Sequence, residues 1–205
     1  MEQEILKIKQ WLGTGAINLF GAPMSGKDTV GKSLAKMLGA EFLSSGEIIR
    51  EFEAKSKENM TTGGELIETD RFYDIVLPYF RRDELKAKGL ILSSVGRWSG
   101  EEVAVMAEAE KSGHPIKLAL FLDLAEEEIV KRWELAQKTT DRGERADDQS
   151  LEILKIRLQE FRQKTLPVLA KYQELGLLLP IKVEGSREEV LRFVVKEISR
   201  VLALR

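Results

Sequence analysis

The segment Gly21-Ala22-Pro23-Met24-Ser25-Gly26-Lys27-Asp28-Thr29 contains the residue types that grip phosphate: glycine at both ends of a loop, then a lysine and a hydroxyl. Glycine lets the backbone adopt positive φ and come close to an anion, so that successive N–H groups can converge on phosphate oxygens. The preceding run Ala16-Ile17-Asn18-Leu19-Phe20 reads as a buried strand, and Val30, Leu34, Ala35 and Leu38 recur at helical spacing behind it. A loop between a strand and a helix N-terminus aims the positive end of the helix at the anion, and Lys27 adds a mobile charge over the distal phosphates. A chance glycine turn would match the spacing, but not the joint occurrence of strand, loop, lysine and helix. Asp28 brings a negative charge to the same place, which repels a polyphosphate unless the carboxylate faces a cation or solvent.

Charge spreading over a transferring phosphoryl group is stabilised by guanidinium groups that converge from separate elements. Arg50 lies one helical turn after Ser45-Gly46, Arg97 follows Leu90-Ile91-Leu92, Arg132 sits in a helical stretch, and Arg145 and Arg157 flank Asp147-Asp148. Taken singly, each would also serve as an ordinary surface charge. Each nevertheless falls beyond a strand end or beside a polar segment.

The elements that must position these groups alternate along the chain. Strand patterns cover residues 16–20, 41–43, 90–93, 117–122 and 177–183; helical patterns cover 28–38, 101–111, 126–138, 149–174 and 187–203, and also run through 46–88. Such alternation predicts an α/β fold, a parallel sheet with helices on both faces and ligands at the carboxyl ends of the strands. Ile5, Ile8, Trp11 and Leu12 form one face of a first helix that ends at Gly13 or Gly15 and docks on the domain. Two polar segments, 46–88 and 138–148, interrupt the alternation. They are either solvated connectors or covers that keep water from a reactive phosphate.

A chain of 205 residues with 43% hydrophobic content supports one core, so residues 1–205 read as a single domain. Its 32 basic and 34 acidic side chains leave a net charge of -2, which offers no basic field for nucleic acid. The lack of cysteine excludes disulfides, thiol catalysis and cysteine-ligated zinc. The single histidine, His114, precedes Pro115 and an apolar strand and reads as a turn residue, which argues against a histidine triad. No apolar run reaches the length of about 18 residues needed to span a bilayer, and Met1-Glu2-Gln3-Glu4 lacks the basic and apolar regions of a signal peptide. The expectation is a cytoplasmic monomer that binds small-molecule nucleotides, with no membrane or nucleic-acid partner.

Over nearly its whole length the chain resembles the adenylate kinase-like family of nucleoside monophosphate kinases. The family loop reads Gly-x-Pro-Gly-x-Gly-Lys-Gly-Thr; Gly21, Pro23, Gly26, Lys27 and Thr29 match it, with the hydroxyl one place later than directly after the lysine, while Met24 and Asp28 replace glycines. Ser44-Ser45-Gly46-Glu47-Ile48-Ile49-Arg50 resembles Ser-Thr-Gly-Asp-x-x-Arg, which implies that Ser45, Gly46 and Arg50 hold an acceptor monophosphate. Gly64-Glu65-Leu66-Ile67 resembles the segment along the acceptor base, and Arg97, with Ser94 before it, stands at the arginine of Asp-Gly-Phe-Pro-Arg. Arg132 resembles the arginine near the donor base, and Val183-Glu184-Gly185-Ser186 the loop at the donor adenine. Arg145-Ala146-Asp147-Asp148-Gln149, followed by Arg157-Leu158, Phe161, Thr165-Leu166-Pro167 and Tyr172, resembles a short lid that sends two arginines to the phosphates.

The resemblance implies a three-layer P-loop kinase fold with a five-stranded parallel sheet, an acceptor-binding insert at about 46–88 and a short lid at about 138–148. It also implies reversible transfer of the γ-phosphoryl of ATP, with Mg2+, to AMP or another nucleoside monophosphate. In that scheme Gly21 through Thr29, Arg132 and Gly185 bind ATP; Ser45, Gly46, Arg50, Leu66, Ile67, Ser94, Arg97, Glu101, Arg145 and Arg157 bind the acceptor; and Lys27, Arg97, Arg132, Arg145 and Arg157 act in catalysis.

The departures are as specific as the matches. Ser93 stands where the family has an aspartate that orders magnesium-bound water, which leaves Thr29 and Asp123 as the candidates for metal contact. Ala136 replaces an arginine one turn after Arg132, and one extra residue separates Asp148 from Arg157. Glu101 replaces a glutamine that often reads adenine. A carboxylate only accepts, so it suits the N1–H and amino donors of guanine, or an amino group of adenine or cytosine; alternatively Glu101 and Glu102 cap the start of their helix. Two rival readings stay open. One is a P-loop kinase for a metabolite hydroxyl, which would need a base near that hydroxyl. The other is a nucleotide-binding regulatory protein without transfer activity.

Overall fold

A computed structural model describes residues 1–61, 63–138 and 150–204. The apolar runs form five strands, β1 (Ala16–Gly21), β2 (Glu41–Ser44), β3 (Leu90–Ser93), β4 (Ile116–Asp123) and β5 (Leu178–Lys182). They make one parallel sheet in the order β2-β3-β1-β4-β5. All residues of β1 and β3 are buried, which is why both read as continuous apolar runs rather than alternating ones.

Side-chain alternation along the strands divides the core between the two faces. Ile17, Leu19 and Ile91 join Ile8, Leu12, Leu34 and Val194, so α1 (Glu2–Leu12), α2 (Lys27–Leu38) and α9 (Arg187–Ala203) pack on one face. Leu90 and Leu92 join Ile48, Phe72 and Val105, so α3 (Ser45–Ser56), α4 (Thr69–Val76) and α5 (Glu101–Lys111) cover the other. The remaining helices are α6 (Glu126–Lys138), α7 (Leu151–Glu160) and α8 (Leu166–Glu174), and α8 packs on β4 through Val168, Leu169 and Tyr172. The expected first helix is α1, and it docks through the buried Ile8 and Leu12. No helix among the described residues is long and apolar enough to cross a membrane.

Three local features differ from the periodicity. The single helix expected over 149–174 is broken between α7 and α8 by a π-helical turn, Phe161–Thr165. Pro167 follows at once; it has no N–H to donate, so the regular ladder cannot run through this point. Among the described residues the insert is helical only in α3, α4 and two 3-10 turns, Leu77–Arg81 and Asp83–Leu85. His114 is a buried tie: its Nδ1–H donates to the Thr14 carbonyl at 2.8 Å and joins two turns at the sheet's amino end. Of the lid expected at about 138–148, Lys138 ends α6, and residues 139–148, Arg145 among them, lie outside the described residues.

Candidate active site

The chain leaves β1 to form the glycine loop and re-enters regular structure at Lys27, the first residue of α2. The two glycines serve different ends. Gly26 is left-handed, with φ 82°, and this turns the chain into the helix. Gly21 keeps a strand conformation, but a methyl on it would run into Ser25 Oγ and stand 3.0 Å from the Leu122 carbonyl, so there the need is close approach. Met24 occupies the left-handed region without being glycine, with φ 66°, and its side chain is buried in the core. Ser25 Oγ is buried with no hydrogen-bond partner, a polar atom that suits a loop shaped for an anion.

A cleft of about 1020 Å³, partly open to solvent, lies at the carboxyl ends of β1, β2 and β3. Gly21, Pro23, Lys27 and Asp28 form its floor. Ser45, Gly46 and Arg50 of α3 line one side, with Leu66 and Ile67 of the insert above them. Ser94, Arg97 and Glu101 come from the β3–α5 connection, and Arg157 and Glu160 from α7. Thus one cleft gathers thirteen of the residues singled out from the sequence: the three from the phosphate loop and Asp28, the three of α3, two of the insert, three of the β3–α5 connection and Arg157. Arg132 is outside the lining; its Nη1 donates to the Met24 carbonyl at 3.4 Å and so reaches the phosphate loop from behind. Thr29 and Asp123 are exposed and do not line the cleft, nor does Gly185 in the β5–α9 turn. Arg145 lies outside the described residues.

Two arginines drawn from different elements face the same space. Burial, and secondly the charge of Arg157, push Arg97 down to about 10, against the opposing effect of Glu101, Asp28 and Glu160. Like charges held together in a partly desolvated cleft favour a dianionic ligand between them.

Glu101 is 3% exposed and spends its carboxylate locally: Oε2 accepts from the N–H groups of Arg97 and Trp98 at 2.9 and 3.0 Å, and Oε1 from Thr69 Oγ1 at 3.0 Å. Burial raises its pKa, and the Trp98, Thr69 and Arg97 hydrogen bonds partly offset this. Glu101 therefore does not cap α5 but ties down the loop before it, at Arg97 and Trp98, and it also lines the cleft.

Some of the site's positioning groups escape the motif reading. Asn18 is a fully buried polar residue in β1; its Nδ2 donates to the Val95 carbonyl at 2.8 Å, and its Oδ1 accepts from Val95 N–H at 3.3 Å. It thereby fixes the connection that carries Ser94 and Arg97. A polar residue inside an apolar run is the signal that could have found it. Ser45 Oγ donates to the Ser94 carbonyl at 2.6 Å, and Ser94, like Met24, holds a positive φ, 54°. Strain of this kind gathers at functional sites. Glu160 Oε2 accepts from Leu66 N–H at 3.0 Å and ties the insert to α7.

A family model described as an AAA domain matches residues 20–155. Adenylate kinase isoenzyme 1 of Caenorhabditis elegans is 32% identical over 190 residues, spanning 89% of this chain and 86% of its own length. Adenylate kinase of Xanthomonas oryzae pv. oryzae (strain MAFF 311018) is 30% identical over 189 residues, spanning 89% and 98%. The chain belongs to the adenylate kinase-like family. Adenylate kinase isoenzyme 1 of Gallus gallus, 28% identical over 191 residues, spans 90% of the chain and 94% of its own length. Membership in the adenylate kinase-like family agrees with the sheet order and with a phosphate loop that opens α2 directly after the central strand.

Proposed function

We propose that this chain transfers the γ-phosphoryl group of MgATP reversibly to a nucleoside monophosphate, with AMP the first acceptor to test. What supports the reading is one observation: Lys27, Arg50, Arg97 and Arg157, from four different elements, share a cleft with the phosphate loop. Both reacting groups belong to the substrates, so the protein needs no covalent nucleophile. Its task is to hold donor and acceptor phosphates in line and to neutralise charge as it moves. The loop amides and Lys27 take the donor, Arg50 and Ser45 the acceptor monophosphate, and Arg97 and Arg157 the charge that develops between them. The relatives' name, adenylate kinase, agrees with this assignment.

Magnesium fits the donor end of the cleft. Magnesium is bound chiefly through phosphate oxygens, water and one or two carboxylates, so it needs few protein ligands. The side-chain groups there, Asp28 and Ser93, offer hard oxygen atoms. When bound, the ion supplies charge neutralisation across the donor phosphates.

A coupled assay with ATP and each of AMP, GMP, CMP, UMP and dTMP, with and without magnesium, tests the reading. Diphosphate formation from at least one acceptor, dependent on magnesium, is the expected outcome. ATP binding with no diphosphate from any of them would replace the kinase by a nucleotide-binding regulator.

A further inference from the structure

Asp28 lines the cleft one residue after Lys27, at the positive end of α2, where the donor's phosphates would also lie. Two anionic groups crowded into a half-buried cleft repel each other, and the repulsion turns to attraction when a cation stands between them. The carboxylate is held in a definite pose. Ser93, the last residue of β3 and only 1% exposed, donates its Oγ–H to Asp28 Oδ1 at 2.6 Å across 65 positions of sequence. A carboxylate has about four lone-pair sites, so accepting the Ser93 hydroxyl does not by itself exhaust them. The pair thus presents an oriented, hard, anionic acceptor at the seam between β1 and β3. Magnesium keeps several of its waters and is bound through one or two carboxylates together with substrate phosphates.

The geometry points to Asp28 as the group that accepts hydrogen bonds from the water shell of magnesium carried by the donor nucleotide, with Ser93 as its positioning donor. The carboxylate and the small residue thereby exchange places relative to the family pattern: the charge comes from the phosphate loop and the strand end supplies a hydroxyl. The inference rests on the donor-site reading under Proposed function. An Asp28 turned away from the phosphates, serving only the helix dipole, would affect folding stability but not the metal dependence of nucleotide affinity.

Calorimetry of ATP binding, with and without saturating magnesium, tests this on the wild type, Asp28→Asn, and the double variant Asp28→Gly with Ser93→Asp. The wild type is expected to bind MgATP about tenfold more tightly than metal-free ATP. In Asp28→Asn metal-free ATP should bind more tightly, because a repulsive charge is gone, while MgATP weakens, so the ratio approaches unity. The double variant, which moves the carboxylate to the strand end, should restore the ratio. An unchanged ratio in a folded Asp28→Asn overturns the role of Asp28 and leaves the donor site standing, as does a double variant that binds ATP without recovering the metal preference. No ATP binding by the wild type overturns the donor-site reading itself.

Discussion

The phosphate loop and the insert between α3 and α4 face each other across one cleft, but they take their shapes from different sources. The loop is set by backbone: a glycine in the left-handed region, a glycine that admits Ser25 beneath it, and a helix that begins at Lys27. The insert between α3 and α4 is set by side chains reaching back to main chain. Glu53 Oε1 accepts from the N–H groups of Met60 and Thr61 at 2.6 and 2.8 Å, and Glu160 secures Leu66 from another helix. A backbone-made cradle needs particular residue types and tolerates little change, whereas a side-chain-made wall can be rebuilt from many sequences.

Four experiments sharpen or break that contrast. Lys27→Ala should lower phosphoryl transfer by about 10³-fold or more, with a melting temperature close to wild type, because the ammonium serves charge rather than packing. Loss of fold in place of loss of turnover would mean that Lys27 is structural. Gly21→Ala should cost about 1–3 kcal/mol in chemical denaturation and weaken ATP binding, since the added methyl has only Ser25 and the Leu122 carbonyl to displace. Asn18→Ala leaves Val95 N–H and C=O without their buried partner and should cost about 1–3 kcal/mol. It should also raise the acceptor KM more than the donor KM, and equal shifts in both would break the link from Asn18 to Arg97.

Glu101→Gln should have the smallest effect. Burial raises the Glu101 pKa, so the folded protein holds that proton more tightly than the unfolded chain; wild-type stability from this group is present at low pH and is lost as pH rises through the raised value. The amide cannot ionise, so Glu101→Gln should melt about 2 °C higher near neutral pH, with the gain vanishing in acid. The same change adds an N–H donor to the acceptor wall, so the ranking of AMP against GMP in the acceptor panel should move toward AMP.

The difference between the two walls also explains what could be read from the chain. Gly26 and the apolar run of β1 are local signals with few physical interpretations, and the strands appeared in sequence within a residue or two of their ends. Met24 kept a glycine-like conformation that its identity concealed, because burial of its side chain in the core holds it there. The partnership of Asp28 with Ser93 spans 65 positions, and that of Asn18 with Val95 spans 77, so neither has a spacing that could announce it. Glu160 looked like any acid on an amphipathic helix. Only the fold brings it to Leu66, with the π-helical turn directly after it marking where the helix gives up its regular ladder.

Asn18 gives the sheet a further duty. Through Val95 it binds the strand that carries the phosphate loop to the segment that carries Arg97, and the neighbouring Ser94 carbonyl engages Ser45 at the head of α3. Adjacent strands lie about 4.8 Å apart, a spacing fixed by main-chain hydrogen bonds. Under the proposed function, with the donor after β1 and the acceptor after β3, that interval acts as a ruler that sets the spacing of the two strand ends.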